Sequence, residues 1–499
     1  MRVIEIPEPT RLADYESWPD LSLGVRLLRD EASRLVPLLD GRRVWMINST
    51  ASGGGVAEMM PRLISLLREV GVDTRWGVLE SGEPGFFELT KRIHDLIHDS
   101  GKPELSASER ELFVRINREN FDALRSFLLP GDLVVIHDPQ PAPLAAMVRT
   151  ELGNRVIWRC HIGLDRETER TRLVWEFLRE FVSLADHAIF SVPDYIPRFL
   201  RGRSSIIHPA IDPLSPKNRY FSPRKLQGIL CNSRLATEHA PVLHPPYRHP
   251  ALRLAASGEW LPANEPEEIG LLFRPMVTQV SRWDRLKGFE PLLDALILLK
   301  QKAGRRGLSR EHDRRLKIVR FILAGPNPGS VADDPGGKEL LESLSRRWLE
   351  LEPALQADIA LLALPMASRS ENAYMVNAIQ RCSSIVVQNS IEEGFGLTVT
   401  EAMWKRVAVL GSRAAGIRQQ IRDGVDGMLI GDPTNPAELA DALDQLLVDP
   451  SRRGHLAGNA QRRVFDEFLI FSQVRSWLRT LVSVARANGL ADRPRRPAG

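Results

Sequence analysis

Three cysteines in 499 residues, Cys160, Cys231 and Cys382, stand far apart and form no CxxC pair. That scarcity excludes a disulfide framework and a cysteine-built zinc cage, and it fits a reducing compartment. No apolar run is long enough to span a bilayer. The opening segment, MRVIEIPEPTRLADYESWPD, lacks the basic end and apolar stretch of a secretory leader. A cytoplasmic protein with no membrane partner is therefore expected. An excess of one charge is missing as well: 67 Lys and Arg face 63 Asp and Glu, a net +4. That balance does not imply a nucleic-acid partner and suits a phosphate-bearing small ligand equally well. Metal-binding patterns are poor. His94 and His98 in HDLIH have the i, i+4 spacing of a metal pair but no third ligand, and Asp333 and Asp334 are adjacent instead of forming aspartate-x-aspartate. A helix surface explains the first pair, and no catalytic metal is expected.

What the chain does contain is 43% hydrophobic and 26% charged residues, enough for more than one sizeable core. Short Val/Ile/Leu-rich runs alternate with longer stretches of helical spacing, the pattern of βαβ units around a parallel sheet. The pattern occurs twice. Strands are expected at 44–50, 74–80, 133–137, 155–160, 187–192 and 205–209, then at 276–281, 317–324, 359–364, 385–388, 408–411 and 427–430. Residues 221–274, which include LHPPYRHP and LPANEPEEIG, are rich in Pro and His and are read as a linker or insertion. The fold class is α/β, two doubly wound domains facing a cleft, with ligands at the carboxyl ends of the strands. The expected domains are 1–265, including the insertion near 221–265, and 266–475. A helix end and disordered tail fill 476–499.

Three places could carry chemistry. The strand VWMINST leads through ASGGG into an amphipathic helix, so Gly54 and Gly55 let backbone approach a ligand at a helix start. This is not the GxGxxG fingerprint, and a plain tight turn explains an isolated GGG as well. In QVSRWDRLKG, Arg282 and Lys287 follow an apolar strand, where cations can clamp an anion, although a solvated loop is the simpler reading. In EEGFGLTVTEAMWK, the amides of Gly396, Leu397 and Thr398 open a helix near Thr398, and Glu393 and Glu401 bracket the loop and could grip hydroxyls. Thr398-x-x-Glu401 is also a capping box, which explains Glu401 but neither Glu393 nor the glycines.

These motifs, with INSTASGGGVAE, HDPQP, WRCHIGLD and AIDPLSPKN, resemble the retaining glycosyltransferases of the GT-B fold, built of two Rossmann-like domains, that carry the glutamate, seven residues, glutamate motif. Within that group the run of motifs looks like the trehalose glycosyltransferring synthases, which join glucose from a nucleotide sugar to free glucose. The resemblance implies that Arg282 and Lys287 neutralise the donor diphosphate and that Glu401 binds the ribose. Glu393 would hold the transferred glucose, and the amides of Gly396, Leu397 and Thr398 would receive phosphate. It also implies that Gly54 and Gly55 face donor phosphate and sugar, and that His161 meets the donor glucose near the reacting carbon with Asp138 nearby. Without the motif around it, His161 would read as a core histidine at a strand end. The partners implied are glucose and a nucleoside diphosphate glucose (ADP-glucose, UDP-glucose or GDP-glucose), with no cofactor beyond that donor. A homodimer stays open. The chain departs from the pattern in the length of 221–274 and in Ala414-Ala415-Gly416, where a glycine pair is common. Two alternatives stay open, a trehalose phosphorylase of the same fold and a catalytically silent sugar-nucleotide-binding regulator.

Overall fold

The computed structural model describes residues 1–52, 55–237, 247–265, 267–327 and 335–487. The chain divides into two compact units, Met1–Pro209 with Ile470–Gly499, and Ala210–Leu469. In the first unit the strands are β1 (Arg2–Val3), β2 (Val44–Asn48), β3 (Thr74–Val78), β4 (Leu133–His137), β5 (Arg155–Cys160), β6 (His187–Phe190) and β7 (Ser204–Ile206). They order as β1-β3-β2-β4-β5-β6-β7. All run parallel except β1, which pairs antiparallel with β3. Every residue of β2 and β4 is buried, as expected for strands covered by helices on both faces.

The second unit contains β8 (Leu252–Leu254), β9 (Trp260–Pro262), β10 (Met276–Val280), β11 (Arg320–Pro326), β12 (Ile359–Leu364), β13 (Ile385–Gln388), β14 (Ala408–Ser412) and β15 (Met428–Ile430). Their order is β15-β14-β13-β10-β11-β12-β8-β9. β10 to β15 are parallel, and β8 and β9 form a hairpin laid antiparallel on β12. Each sheet reverses its winding at one place, between β2 and β4 in the first and between β10 and β13 in the second. Crevices at such reversals, outside the strand carboxyl ends, are where open α/β sheets take ligands.

All twelve expected strands form. The reading of 221–274 as a linker or insertion is corrected. Ser222 caps the helix Pro223–Asn232, whose first position takes a proline without loss, and the β8–β9 hairpin follows. Phe221, Ile229, Leu230 and Ala251 join Met276, Ile322 and Leu362 in one core. For that reason the division falls after Pro209, not after 265. It falls again after Leu469, not after 475, because the helix Ile470–Arg486 belongs to the first unit. That helix buries Phe471, Val474, Trp477, Leu478 and Leu481, and Arg475 and Arg479 both pair with Glu31 of the helix Pro19–Leu35. The tail expected to be disordered lies, from residue 488 on, outside the described residues. No described helix is long and apolar enough to cross a membrane.

Candidate active site

In the second unit, the loops after β10 and β13 meet at the winding reversal. Two buried amides hold them. Gln279 on β10 donates to Lys287 O (2.8 Å) and accepts from Asn389 N (2.9 Å), and Asn389 donates to Gly288 O (3.0 Å) and Pro433 O (2.9 Å). Gly288 has φ +61, and a Cβ there would stand 2.2 Å from Asn389 O, so only glycine permits this approach. The clamp brings Lys287 Nζ to 2.8 Å from Glu393 Oε2, both side chains about 13% exposed. The same carboxylate oxygen accepts from Ser390 Oγ at 3.0 Å and Gln388 Nε2 at 3.3 Å. Lys287 and Glu393 are thus brought together. Arg282 is not joined to them: it is 71% exposed and stands 3.8 Å from Asp284.

Gly396, at φ +80, is the cap of the helix Leu397–Trp404, and its missing Cβ leaves room for Glu393 Cγ, which would be 2.9 Å away. Helix geometry leaves the amides of Leu397 and Thr398 without intrahelical acceptors. The capping-box reading of Thr398 and Glu401 is overturned, because the cap lies at Gly396 and Glu401 sits beyond the third helical position. Glu401 is instead buried, with Lys217 Nζ 3.8 Å from its carboxylate and Lys405 Nζ 3.0 Å from its carbonyl oxygen. Burial brings the Lys405 ammonium down to about 7, although Glu401 opposes the shift.

Gln420 pins the glycine loop from behind by donating to Phe395 O and Gly416 O. A Cβ on Gly416 would be 2.2 Å from Phe395 Cα, whereas Ala415 sits buried without difficulty. One glycine therefore suffices where a pair was expected. Gly416→Ala is expected to cost about 1–3 kcal/mol through overpacking and to lower Tm by several degrees. A melt unchanged within a degree would show that the 394–396 loop yields freely.

The first unit presents its own groups at the ends of β2, β4 and β5. Gly55 begins the helix Gly55–Glu69 with open space where a Cβ would be, and Gly54 lies outside the described residues. Asp138, just past β4, has φ +67, and its Oδ1 accepts from His161 N at 2.8 Å. Burial lifts its carboxyl to about 6 against the pull of the His161 amide and Arg159. His161 Nε2 stands 3.0 Å from His137 Nδ1. Burial, with the Arg159 cation behind, pushes His137 to about 3 and His161 well below the usual imidazole range. Both rings are neutral at pH 7. His94 and His98 stand with ring centroids 4.7 Å apart, their planes tilted by 54°, at a helix end. Among the described residues no group of three His, Cys, Asp or Glu is arranged to hold a metal ion.

Residues 46–197 match the family described as trehalose synthase, N-terminal domain, and residues 272–463 match glycosyl transferases group 1. A trehalose synthase of Pyrococcus horikoshii is 34% identical over 95% of this chain and 96% of its own. The chain belongs to the trehalose synthase family. It is accordingly a glycosyltransferase. A trehalose phosphorylase of Pleurotus pulmonarius is more distant, 25% identical over 89% of this chain and 57% of that protein. The crystal structure of an α,α-trehalose-phosphate synthase (UDP-forming) from Burkholderia vietnamiensis superposes with a TM-score of 0.60 at 16% identity, covering 89% of this chain and 99% of that one. The shared fold is GT-B. The sequence motifs had pointed to Lys287 and Glu393 but not to Gln279, Asn389 or Gln420, which set their geometry. Gln279 and Asn389 were visible only as polar residues within or just after apolar strands, MVTQV and IVVQN.

Proposed function

We propose that this chain forms trehalose from a nucleoside diphosphate glucose and free glucose, in the cytoplasm, with no cofactor beyond the donor, and with the donor's α configuration retained. The observation that carries the reading is the Lys287–Glu393 pair, held beside the open amides of Leu397 and Thr398 at the reversal of the second sheet. Loss of a nucleoside diphosphate leaves an oxocarbenium-like sugar, so the demand is for positive charge and amide dipoles at the departing phosphates. Lys287, Arg282 and the amides of Gly396, Leu397 and Thr398 supply it. The C1–O bond to phosphate breaks, and the anomeric hydroxyl of the acceptor forms the new C1–O bond on the same face. Its proton passes to a departing phosphate oxygen. Glu393, which accepts three hydrogen bonds from protein groups, then orients a sugar hydroxyl and need not act as a base. Glu401 takes the ribose, and His161 with Asp138 meets the transferred glucose. The three free cysteines agree with a reducing compartment.

The test is product analysis with glucose and ADP-, UDP- and GDP-glucose in turn. Equimolar trehalose and nucleoside diphosphate from at least one donor is the expected result. Turnover only with inorganic phosphate would transfer the assignment to a phosphorylase, and binding without turnover would favour a regulator.

A further inference from the structure

His137 closes β4 and is buried, one residue before Asp138. Its ring has two polar neighbours of unlike kind. Nδ1 faces His161 Nε2 at 3.0 Å, and Nε2 faces the thioether of Met46 on β2 at 3.4 Å. Trp477 of the helix Ile470–Arg486 lies over the same ring, with centroids 6.0 Å apart. The sheet register explains the Met46 contact: Met46 pairs with Val135, two residues before His137, so both side chains stand on one face.

A neutral imidazole carries one proton, and a thioether can accept a hydrogen bond but never donate one. If His137 kept its proton on Nδ1, its Nε2 lone pair would face sulfur in a buried place with no donor. With the proton on Nε2, the sulfur accepts weakly, and Nδ1 is left as the acceptor towards His161. His161 must then donate from Nε2. Burial holds both rings neutral, so the doubly protonated forms do not compete. The Nδ1 of His161 is left without its proton, and among the described residues the hydrogen bonds of His161 run only through its Nε2, amide N and carbonyl O.

We propose that His137, backed by Met46, is a positioning residue that fixes His161 in its Nε2-protonated tautomer, so that His161 meets the transferred sugar as a hydrogen-bond acceptor through Nδ1. The inference rests on the reading above that His161 contacts the glucose of the donor. It adds a sense to that contact: a sugar hydroxyl donates to His161, and His161 gives no proton to the leaving phosphate. A donor whose matching hydroxyl is replaced by fluorine, which cannot donate, loses the bond.

Two-bond proton–nitrogen correlation of the full chain labelled with nitrogen-15 histidine reads the tautomer directly, with the His161 signals assigned by their loss in His161→Gln. A protonated Nε2 and bare Nδ1 in His161 is expected, and the reverse pattern overturns the proposal whether or not the protein turns over. In kinetics, His137→Leu removes the acceptor and lets His161 adopt either tautomer. It should lower kcat/KM for the nucleoside diphosphate glucose by about tenfold, the scale of one hydrogen bond, without weakening the nucleoside diphosphate alone. His137→Asn, which can place a carbonyl oxygen where Nδ1 was, should recover most of that loss. Parent-like activity in His137→Leu, or equal losses in both variants with normal melts, would show that His137 only fills space. Failure of every glucosyl donor in the parent would instead sink the functional reading and leave the measured tautomer standing.

Discussion

Lys287→Ala is expected to lower kcat by about a hundredfold to a thousandfold, the scale of losing one preorganised charge-stabilising group, while Arg282→Ala falls by less. The difference follows from how the two cations are held. Lys287 is nearly covered, its carbonyl oxygen is gripped by Gln279, and its ammonium already sits against Glu393. It need not reorganise when phosphate charge develops. Arg282 is mostly in solvent beside Asp284 and must give up hydration and rotamer freedom to reach an anion. Removing Lys287 also takes a cation from beside Glu393, so the single variant alone leaves the cause ambiguous. The double variant Lys287→Ala/Glu393→Gln resolves it. If Lys287 serves the departing phosphates, neutralising Glu393 gives no recovery of kcat. Substantial recovery would mean that Lys287 matters only as the partner of Glu393. Thermal melts of all three variants separate either outcome from unfolding, and parent-like turnover in a well-folded Lys287→Ala would defeat the assignment outright.

The second large effect is expected at Glu401. The capping-box reading would have let Glu401→Gln pass almost unnoticed, because glutamine reproduces the reciprocal bond to the cap amide. With the cap at Gly396, that reading no longer protects the substitution. A buried carboxylate one turn into the helix, with its carbonyl oxygen rather than its carboxylate taken by Lys405, is placed to accept from neighbouring hydroxyls. Hydrogen bonds to a charged acceptor contribute about 1.5–3 kcal/mol, so affinity for the nucleoside diphosphate should fall roughly tenfold to a hundredfold. The Lys217 pairing, at 3.8 Å and half exposed, is too weak to mask that loss. Calorimetric titration with the nucleoside diphosphate alone, beside a melt, measures it. Unchanged affinity would move nucleotide recognition elsewhere and strengthen the phosphorylase reading.

Parallel strands such as β2, β4, β12 and β13 were legible in the sequence because each is a compact apolar run buried on both faces, a signal that needs no knowledge of its partners. The β8–β9 hairpin was not. Three-residue strands are too short to show alternation, and the proline at the start of the helix Pro223–Asn232 reads locally as a breaker when it is in fact an allowed first residue. Site motifs were legible where glycine or charge interrupts a strand-to-helix turn, as at Lys287, Glu393 and Gly396. The amides that fix their geometry were hidden because Gln279, Asn389 and Gln420 contact loops far away in sequence. Asn389 and Gly288, for instance, are 101 residues apart. The capping box shows the opposite failure: a local pattern was present, but the left-handed Gly396 two residues earlier took the cap.

The return of the helix Ile470–Arg486 to the first unit sets the order of synthesis against the order of packing. Residues 210–469, 260 in all, are made between the two parts of that unit. At a translation rate of about 5–20 residues per second, this leaves a wait of roughly 13–50 s. Throughout that interval Tyr15, which meets Phe471 edge-on, and His137, which lies under Trp477, lack these aromatic neighbours. Glu31 likewise waits, without either arginine, for Arg475 and Arg479. The nascent first unit lacks this helix until the second has been made, so its native state is reached post-translationally even though its strands are among the first residues to leave the ribosome.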